Sequence, residues 1–378
     1  MKLAILAQSY LFDETASING SLVQLYNLAQ GFYKNGVEVH YICTTNDTSK
    51  PKYELINGVQ FYWIQSQKGL FEWKRTMTLY KKILINISPD AIYVRGRNVL
   101  QFIAGTYAKA ENKVFVWGTN GDDSAEFNKN VKRLRESKRS IVKKFLLYPF
   151  KALEDIYINM GMKMPNYIVN QNTHQKEQTK KCLNRDGLVL NSYYYIESTE
   201  GSPIKNKVSW LARWSKEKQP ELFIEMVSKL EKQNFSFIMA GTSNNLDENN
   251  KLKEKAKQFN IETPGKIAYK NVNDYFAQSL IFVNTSYREG VSNTFIEAML
   301  NGVPVLSLNS NPNNWLTDFN IGYCANGKLE DLTRTLNDLL EDREKLKKMS
   351  ADSKTFAKQQ FSNDSIIESY INLFQKNA

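Results

Sequence analysis

The stretch EGVSNTFIEAMLNGVPVL, Glu289 to Leu306, holds two carboxylates eight positions apart, Glu289 and Glu297, with a turn and the start of a short apolar helix between them. The preceding SLIFVNTS, Ser279 to Ser286, reads as a buried strand, and GVPVLSL, Gly302 to Leu308, reads as the next one. Strand, loop and helix at the C-terminal edge of a sheet form the usual ligand site of open α/β proteins. Glu289 falls in the loop and Glu297 near the first helical turn. Free N–H groups at that helix start favour anions such as phosphates. Carboxylates beside them can accept hydrogen bonds from sugar hydroxyls. A bare pair at this spacing would otherwise read as two solvated charges.

Outward from this stretch, length and composition set the frame. A chain of 378 residues is too long for one ordinary domain, and two are expected. Apolar residues make up 42%, enough for two cores. Cys43, Cys182 and Cys324 lack metal or redox spacing and read as buried thiols in a reducing compartment. The only histidines are His40 and His174, which disfavours a histidine-based metal site. MKLAILAQSY at the N-terminus reads as a first strand, not a signal peptide, and no run of about 18 apolar residues suggests a membrane span. A net charge of +11 implies affinity for polyanions or anionic surfaces.

The chain organises as two doubly wound halves. Lys2 to Gln8 is an apolar strand, Leu22 to Asn35 an amphipathic helix, and Val37 to Cys43 the next strand, a Rossmann-type opening. Further strands are expected at Val59 to Ile64, Ala91 to Val94, Lys113 to Trp117, Tyr167 to Asn170 and Leu188 to Leu190. Ser192 to Lys207, polar with Gly201 and Pro203, reads as a linker. The second half has strands at Val208 to Leu211, Phe235 to Met239, the run ending at Ser286 and Val303 to Leu306, with helices including Pro220 to Gln233 and Leu329 to Leu340. The domains are expected at 1–195 and 205–361.

Other residues can carry chemistry. In VSWLARWSKEKQP, Arg213 and Lys218 follow a strand and precede a helix. Two cations there can neutralise a diphosphate, the Arg as a planar fork and the Lys as a movable charge, or can be ordinary surface cations. Gly241 ends a strand, where a missing side chain lets backbone approach a ligand or simply makes a turn. Arg95 and Arg97 follow the strand Ala91 to Val94 and can contact a ligand or be edge cations. Asp122 and Asp123 can bind a ligand or cap the following helix.

The E-x7-E spacing, with Glu-Gly, Glu-Ala-Met and Gly-x-Pro-Val around it, resembles the retaining glycosyltransferases of family 4, with the GT-B fold. Arg213 and Lys218 are similar to the family's Gly-Arg-x4-Lys element, with Ala212 replacing the Gly. The resemblance implies two Rossmann-like domains facing a central cleft: an N-terminal acceptor domain and a C-terminal nucleotide-sugar donor domain. The C-terminal helix, 362–378, returns to the first domain. It also implies a reaction that moves a sugar from a nucleoside-diphosphate sugar, UDP being the first expectation, to a hydroxyl of a glycan, lipid-linked or protein acceptor in cell-surface polysaccharide or glycoconjugate synthesis.

The family's roles fall here on Glu289 at the transferred sugar, Glu297 at the ribose hydroxyls, Arg213 and Lys218 at the diphosphate, and Ser292, Asn293 and Thr294 as backbone donors. Gly241 lies at the nucleotide, and Lys266 and Ile267 read the base through their main chain. Gly20 stands where the family has a glycine pair, and here only Asn19-Gly20 is present. Many relatives carry a histidine where Asn120 stands, so a neutral hydrogen-bonding role replaces proton transfer there. Arg95, Arg97, Asp122 and Asp123 fall on the acceptor side. No cofactor and no metal is expected, and the chain lacks an Asp-x-Asp metal motif.

Lys129 to Lys151 is strongly basic with Leu134, Ile141, Val142, Phe145, Leu146 and Tyr148 interleaved. It reads as one amphipathic helix, either lying on an anionic membrane or solvated on its charged side and packed on the other. The location is expected to be cytoplasmic, with attachment to the cytoplasmic membrane face under the first alternative. Nothing resembles a nucleic-acid module. Two other functions stay open: a nucleotide-sugar epimerase on the same fold, and a non-catalytic sugar-binding protein.

Overall fold

A computed structural model of the chain describes residues 1–13, 20–66, 69, 72–121, 123–195, 205–230 and 235–376. The chain forms two compact units, Met1–Ile196 with Ser362–Ala378, and Glu197–Phe361.

The first unit runs β1 (Lys2–Leu6), α1 (Gly20–Lys34), β2 (Glu38–Thr45), β3 (Tyr53–Ile56), β4 (Val59–Gln65), α2 (Glu72–Ile87), β5 (Ala91–Arg95), α3 (Leu100–Glu111), β6 (Val114–Gly118), α4 (Lys129–Glu136), α5 (Ile141–Gly161), β7 (Tyr167–Asn170), α6 (Thr173–Leu183) and β8 (Leu188–Val189). Its sheet has the order β3-β4-β2-β1-β5-β6-β7-β8, parallel except for the β3–β4 pair. Sequence order reverses between β1 and β5, the switch point of a doubly wound sheet. Both faces are covered, so β5 and β6 are buried along their whole length. Asparagines punctuate the helices. Asn172 caps α6 by accepting from the Gln175 amide at 2.8 Å, and Asn112, left-handed at φ 51°, ends α3.

The second unit runs β9 (Lys207–Leu211), α7 (Pro220–Ser228), β10 (Ser236–Ala240), α8 (Leu246–Lys257), β11 (Ile261–Glu262), α9 (Val272–Ala277), β12 (Ser279–Asn284), α10 (Asn293–Leu300), β13 (Val305–Ser307), α11 (Trp315–Asp318), β14 (Gly322–Cys324), α12 (Leu329–Glu341) and α13 (Arg343–Phe361). Its sheet is parallel, β11-β10-β9-β12-β13-β14, with the switch between β9 and β12. Trp210, Phe223, Ile281, Leu306 and Leu336 are among its buried core.

The last helix, α14 (Asp364–Gln375), packs into the first unit. Its Tyr370 and Phe374 rings meet Phe32 of α1 edge-on at 5.7 and 5.4 Å, and Tyr370 meets Tyr93 of β5. A Cβ on Gly31 would lie 2.6 Å from both Ile367 and Tyr193, so glycine permits this approach.

Three expectations change. Lys129 to Lys151 is not one helix: Ser137 is extended and closes α4, and Ser140, also extended, opens α5. Val131 and Leu134 of α4 are buried, while the start of α5 is exposed. Tyr193 and Tyr194, read as part of a polar linker, are buried in the first unit, with the Tyr195 amide donating to Asn27 at 3.0 Å. Gly201 and Pro203 of that linker lie outside the described residues. The helix from Pro220 ends at Ser228, and Gln233 also lies outside them.

Candidate functional site

The switch point of the second sheet sets the loops after β9 and β12 side by side. The first carries Arg213 and Lys218, the second Glu289 and Ser292. Contacts through Thr285 and Tyr287 lock these loops together, and Asn309, after β13, holds the second of them. The Thr285 hydroxyl accepts from Trp210 Nε1 at 2.9 Å and faces the carbonyls of Lys218 and Gln219, both at 2.9 Å. The Tyr287 amide donates to the Glu217 carbonyl at 2.8 Å. Asn309 Nδ2 donates to the Ser286 carbonyl at 3.0 Å. Gln219 holds the left-handed conformation, φ 50°, and Pro220 then opens α7. None of Thr285, Trp210 or Asn309 carries a signal readable from spacing, since each acts across a distance set by the fold.

On this frame Lys218 and Glu289 form a partly buried ion pair, 71 residues apart in sequence. Arg213 is exposed and has no ion pair among the described residues. Glu297, on α10, is partly buried, and its carboxylate has no hydrogen-bond or ion-pair partner among them. Burial alone pushes its carboxyl up to about 8. An acceptor in that condition is suited to a ligand offering hydroxyl donors. Ser292 precedes α10 without capping it by its side chain, and its hydroxyl meets that of Thr294 at 2.9 Å. Asn293 is the first residue of α10.

The loop after β10 also approaches this edge. Gly241 has φ +139°, and a Cβ there would sit 1.9 Å from the Ala212 carbonyl oxygen, so only glycine fits. Its amide donates to the Gly265 carbonyl at 2.8 Å, which fixes the loop carrying Lys266 and Ile267. The main-chain groups of those two residues make no hydrogen bond among the described residues.

In the first unit the sequence candidates meet different fates. Gly20 opens α1. Ser21 at the start of α1, with Gly96 and Asn120 from the loops after β5 and β6, gathers at its switch point: a Cβ on Gly96 would lie 3.7 Å from Asn120 Cβ and 3.8 Å from Ser21 Oγ. The Asn120 amide donates to Ser124 Oγ at 3.0 Å.

Arg97, expected on the acceptor side, is turned inward. Its Nη2 donates to Asp155 of α5 at 2.8 Å and its Nε to the Glu126 carbonyl at 3.0 Å. Asp155 is 1% exposed and also accepts from the Asn130 and Val131 amides at 3.2 and 2.9 Å, filling the N-terminus of α4. Arg95 is buried too, with Nη1 donating to the Tyr93 hydroxyl at 2.9 Å. Arg97 is thus tied into the interior by an ion pair, whereas Arg95 is buried with Nε and Nη2 unpaired among the described residues. Asp123 pairs with Lys129. Burial opposes its ionisation, but the Lys129 ammonium outweighs that and holds the carboxyl below the usual range. Asp122 lies outside the described residues.

A cavity missed by the sequence reading opens at the C-terminal edge of this sheet, beyond β1 and β2 and beside α2. Its volume is about 370 Å³, and Gln8, Thr44, Asn46, Glu72, Trp73 and Met77 are among its lining. Among the described residues no cluster of three or more His, Cys, Asp or Glu could hold a metal ion. No described helix is long and apolar enough to cross a membrane.

Comparison with known proteins fits this division. Residues 196–356 match the family model described as "Glycosyl transferases group 1", and residues 16–148 match "Glycosyl transferase 4-like". No curated protein sequence matches the chain. Among solved structures, sucrose-phosphate synthase from Thermosynechococcus elongatus is similar at a TM-score of 0.69 and 12% identity, covering 99% of this chain and 98% of that one. HepE from Anabaena, solved in complex with UDP, gives 0.69 and 14%, covering 98% and 99%. TarM from S. aureus, in a complex including UDP, gives 0.69 and 12%, covering 99% and 100%. The second unit thus matches the group 1 glycosyltransferases and most of the first a glycosyltransferase 4-like model, so the chain is a glycosyltransferase built on the GT-B fold.

Proposed function

We propose that the protein is a retaining, metal-independent glycosyltransferase that moves a sugar from a nucleoside-diphosphate sugar, UDP-linked in the first instance, to a hydroxyl acceptor in glycan synthesis at the cell surface. The observation that carries this reading is the set of residues at the switch point: Lys218 paired with Glu289, Arg213 exposed on the loop that carries Lys218, and Glu297 without a partner on the helix after Glu289. In the proposed complex Arg213 and Lys218 hold the diphosphate, where two cations supply the neutralisation that a metal would otherwise give. Lys218 leaves Glu289 for phosphate, and Glu289 turns to the hydroxyls of the transferred sugar. Glu297 accepts from the ribose hydroxyls. Gly241 leaves room for the nucleotide, while Lys266 and Ile267 offer main-chain groups to the base. Ser292, Asn293 and Thr294 bring the N-terminus of α10 to the phosphates.

In the transfer step the bond from the anomeric carbon to the diphosphate oxygen breaks. The acceptor oxygen then bonds that carbon on the same face. The acceptor's proton passes to the departing phosphate, and Asn120 hydrogen-bonds the transferred sugar without carrying a proton. The cavity beside Trp73 suits a carbohydrate acceptor, since an indole face packs against a sugar ring while Gln8, Asn46 and Glu72 meet its hydroxyls. The protein acts at an anionic membrane surface through its 129–151 region.

A thermal-shift screen of nucleoside-diphosphate sugars tests the donor. At a hundred times its dissociation constant a true donor stabilises by about 2.7 kcal/mol. Transfer with that donor should survive EDTA, and NMR of the product should show the anomeric configuration of the donor. Inversion, or a loss of activity that added metal restores, contradicts the mechanism. Conversion of the sugar nucleotide without any acceptor would indicate an epimerase instead.

A further inference from the structure

A helix on the surface of a soluble unit turns its apolar stripe inward and its charges outward. The first half of α5 turns its apolar stripe outward as well. Ile141 and Phe145 are each 83% exposed, Val142 64% and Leu146 61%. Spaced i, i+1, i+4 and i+5, they form one stripe, which continues along the helix through exposed Ile156 and Met160. The second half is anchored from its other side. Asp155, Ile158 and Gly161 are buried, and a Cβ on Gly161 would lie 2.4 Å from the Phe102 amide nitrogen of α3. Between the halves Pro149 removes the helical bond to the Phe145 carbonyl.

Contiguous apolar surface of this kind needs a cover, and the charges around it say which. Lys138, Arg139 and Lys143 are exposed at the start of α5, and Lys132, Arg133 and Arg135 are exposed on α4. Lys144 donates to the Arg135 carbonyl at 2.6 Å, which ties the two helices together. From Lys129 to Lys151 the only acidic residue is Glu136. An apolar protein partner has no need of this ring of cations, whereas a bilayer of anionic lipid presents both an acyl boundary and a sheet of phosphates.

We infer that the opening turns of α5 are the membrane anchor: Ile141, Val142, Phe145 and Leu146 enter the headgroup–acyl boundary of an anionic bilayer, and Lys138, Arg139, Lys143 and Lys144 meet its phosphates. This rests on the membrane-surface reading above and is independent of the transfer chemistry. It assigns the attachment to one short segment, leaving α4 as the packed support, and makes apolar insertion as necessary as charge.

Sedimentation with vesicles of phosphatidylcholine, with and without phosphatidylglycerol, tests it on the full chain. The wild type should pellet only with the anionic vesicles. A triple variant, Ile141→Ser, Phe145→Ser and Leu146→Ser, keeps every cation. A quadruple variant, Lys138→Gln, Arg139→Gln, Lys143→Gln and Lys144→Gln, keeps every apolar side chain. Bound fraction should fall roughly tenfold or more in both, given a contribution of about 1 kcal/mol per basic residue and the added apolar burial. All the replaced apolar residues are exposed, so the melting temperature should hold. A triple variant that pellets like the wild type overturns the insertion, and a wild type that ignores anionic vesicles overturns the anchor. If the wild type is instead a dimer that the triple variant breaks, a second copy covers this face and the proposal fails. Donor turnover read in parallel separates the two claims: a protein that binds vesicles without transferring sugar defeats only the catalytic reading.

Discussion

The two switch points share a topology and treat charge in opposite ways. Beyond β1, β5 and β6 two ion pairs form, Arg97 with Asp155 and Lys129 with Asp123, while Arg95 is buried with Nη1 on the Tyr93 hydroxyl and with Nε and Nη2 unpaired among the described residues. Beyond β9 and β12, Lys218 meets Glu289, but Arg213 stays in solvent and Glu297 is left without a partner. Internal pairing holds loops in place and leaves little for a ligand. An unpaired acceptor half out of water is unfavourable in the empty protein and is relieved when a ligand arrives. On the proposed function, Arg97 and Lys129 act as scaffolding and the second set binds the donor.

The largest effect that can break this contrast is on stability. Asp155→Ala removes the partner of buried Arg97 and the two acceptors for α4 amides, and stranding such a charge costs roughly 3–5 kcal/mol. Chemical denaturation should show that loss, with donor affinity unchanged in the fraction that remains folded. A loss below about 1 kcal/mol would mean that Arg97 finds water and that the first switch point is open after all.

Next comes turnover. Lys218→Ala should lower it by about 10²–10³-fold, as expected when one preorganised donor is lost from a centre of developing charge. Adding Glu289→Gln, which removes the stranded carboxylate, should restore stability without restoring turnover. Recovery of both would reduce the pair to scaffolding like that of Arg97 and Asp155.

Donor affinity should change less. At pH 8.5, where the carboxyl is ionised, Glu297→Ala is expected to weaken nucleoside-diphosphate sugar binding by roughly 1.5–3 kcal/mol, the value of hydrogen bonds to a charged acceptor. Calorimetry showing wild-type affinity would remove Glu297 from the site.

How much of this could be read from the chain follows the range of the interactions. The β12–α10–β13 run was legible because apolar strands, a polar turn and a helix start are local signals. Strand ends moved by a residue or two; Ser279 to Ser286 became Ser279–Asn284 because Asn284 and Ser286 turn to hydrogen-bond one another. Helix α2 was legible in principle, since Met77, Tyr80, Leu84 and Ile87 recur at helical spacing. The break between α4 and α5 was hidden because Ser137 to Ser140 continue the basic pattern without a Gly or Pro. The pairing of Arg97 with Asp155 spans 58 residues, and the bond from Trp210 to Thr285 spans 75, so neither leaves a trace in local spacing. The residues proposed to contact ligand sit in local motifs, whereas the residues that hold those motifs act at long range.

The smallest effect is the one that isolates the unpaired acceptor. Burial raises the Glu297 carboxyl from an ordinary 4.5 to about 8 in the folded protein. A group whose folded value lies above its unfolded one stabilises below the unfolded value and loses that contribution as pH rises through the folded one. The wild type should therefore lose stability between about pH 4.5 and 8 relative to Glu297→Gln, which stays neutral throughout. Since the carboxyl keeps some water, the difference should be of order 1 kcal/mol, or about 2–4 °C in Tm. The variant should melt higher at pH 8.5, and the two proteins together near pH 4. A saturating nucleoside-diphosphate sugar should cancel the gap at pH 8.5, because the ribose hydroxyls then solvate the carboxylate that water cannot reach. Superimposable melting curves across the whole range would mean that Glu297 is already satisfied in the empty protein, and the contrast between the two switch points would then rest on Arg213 alone.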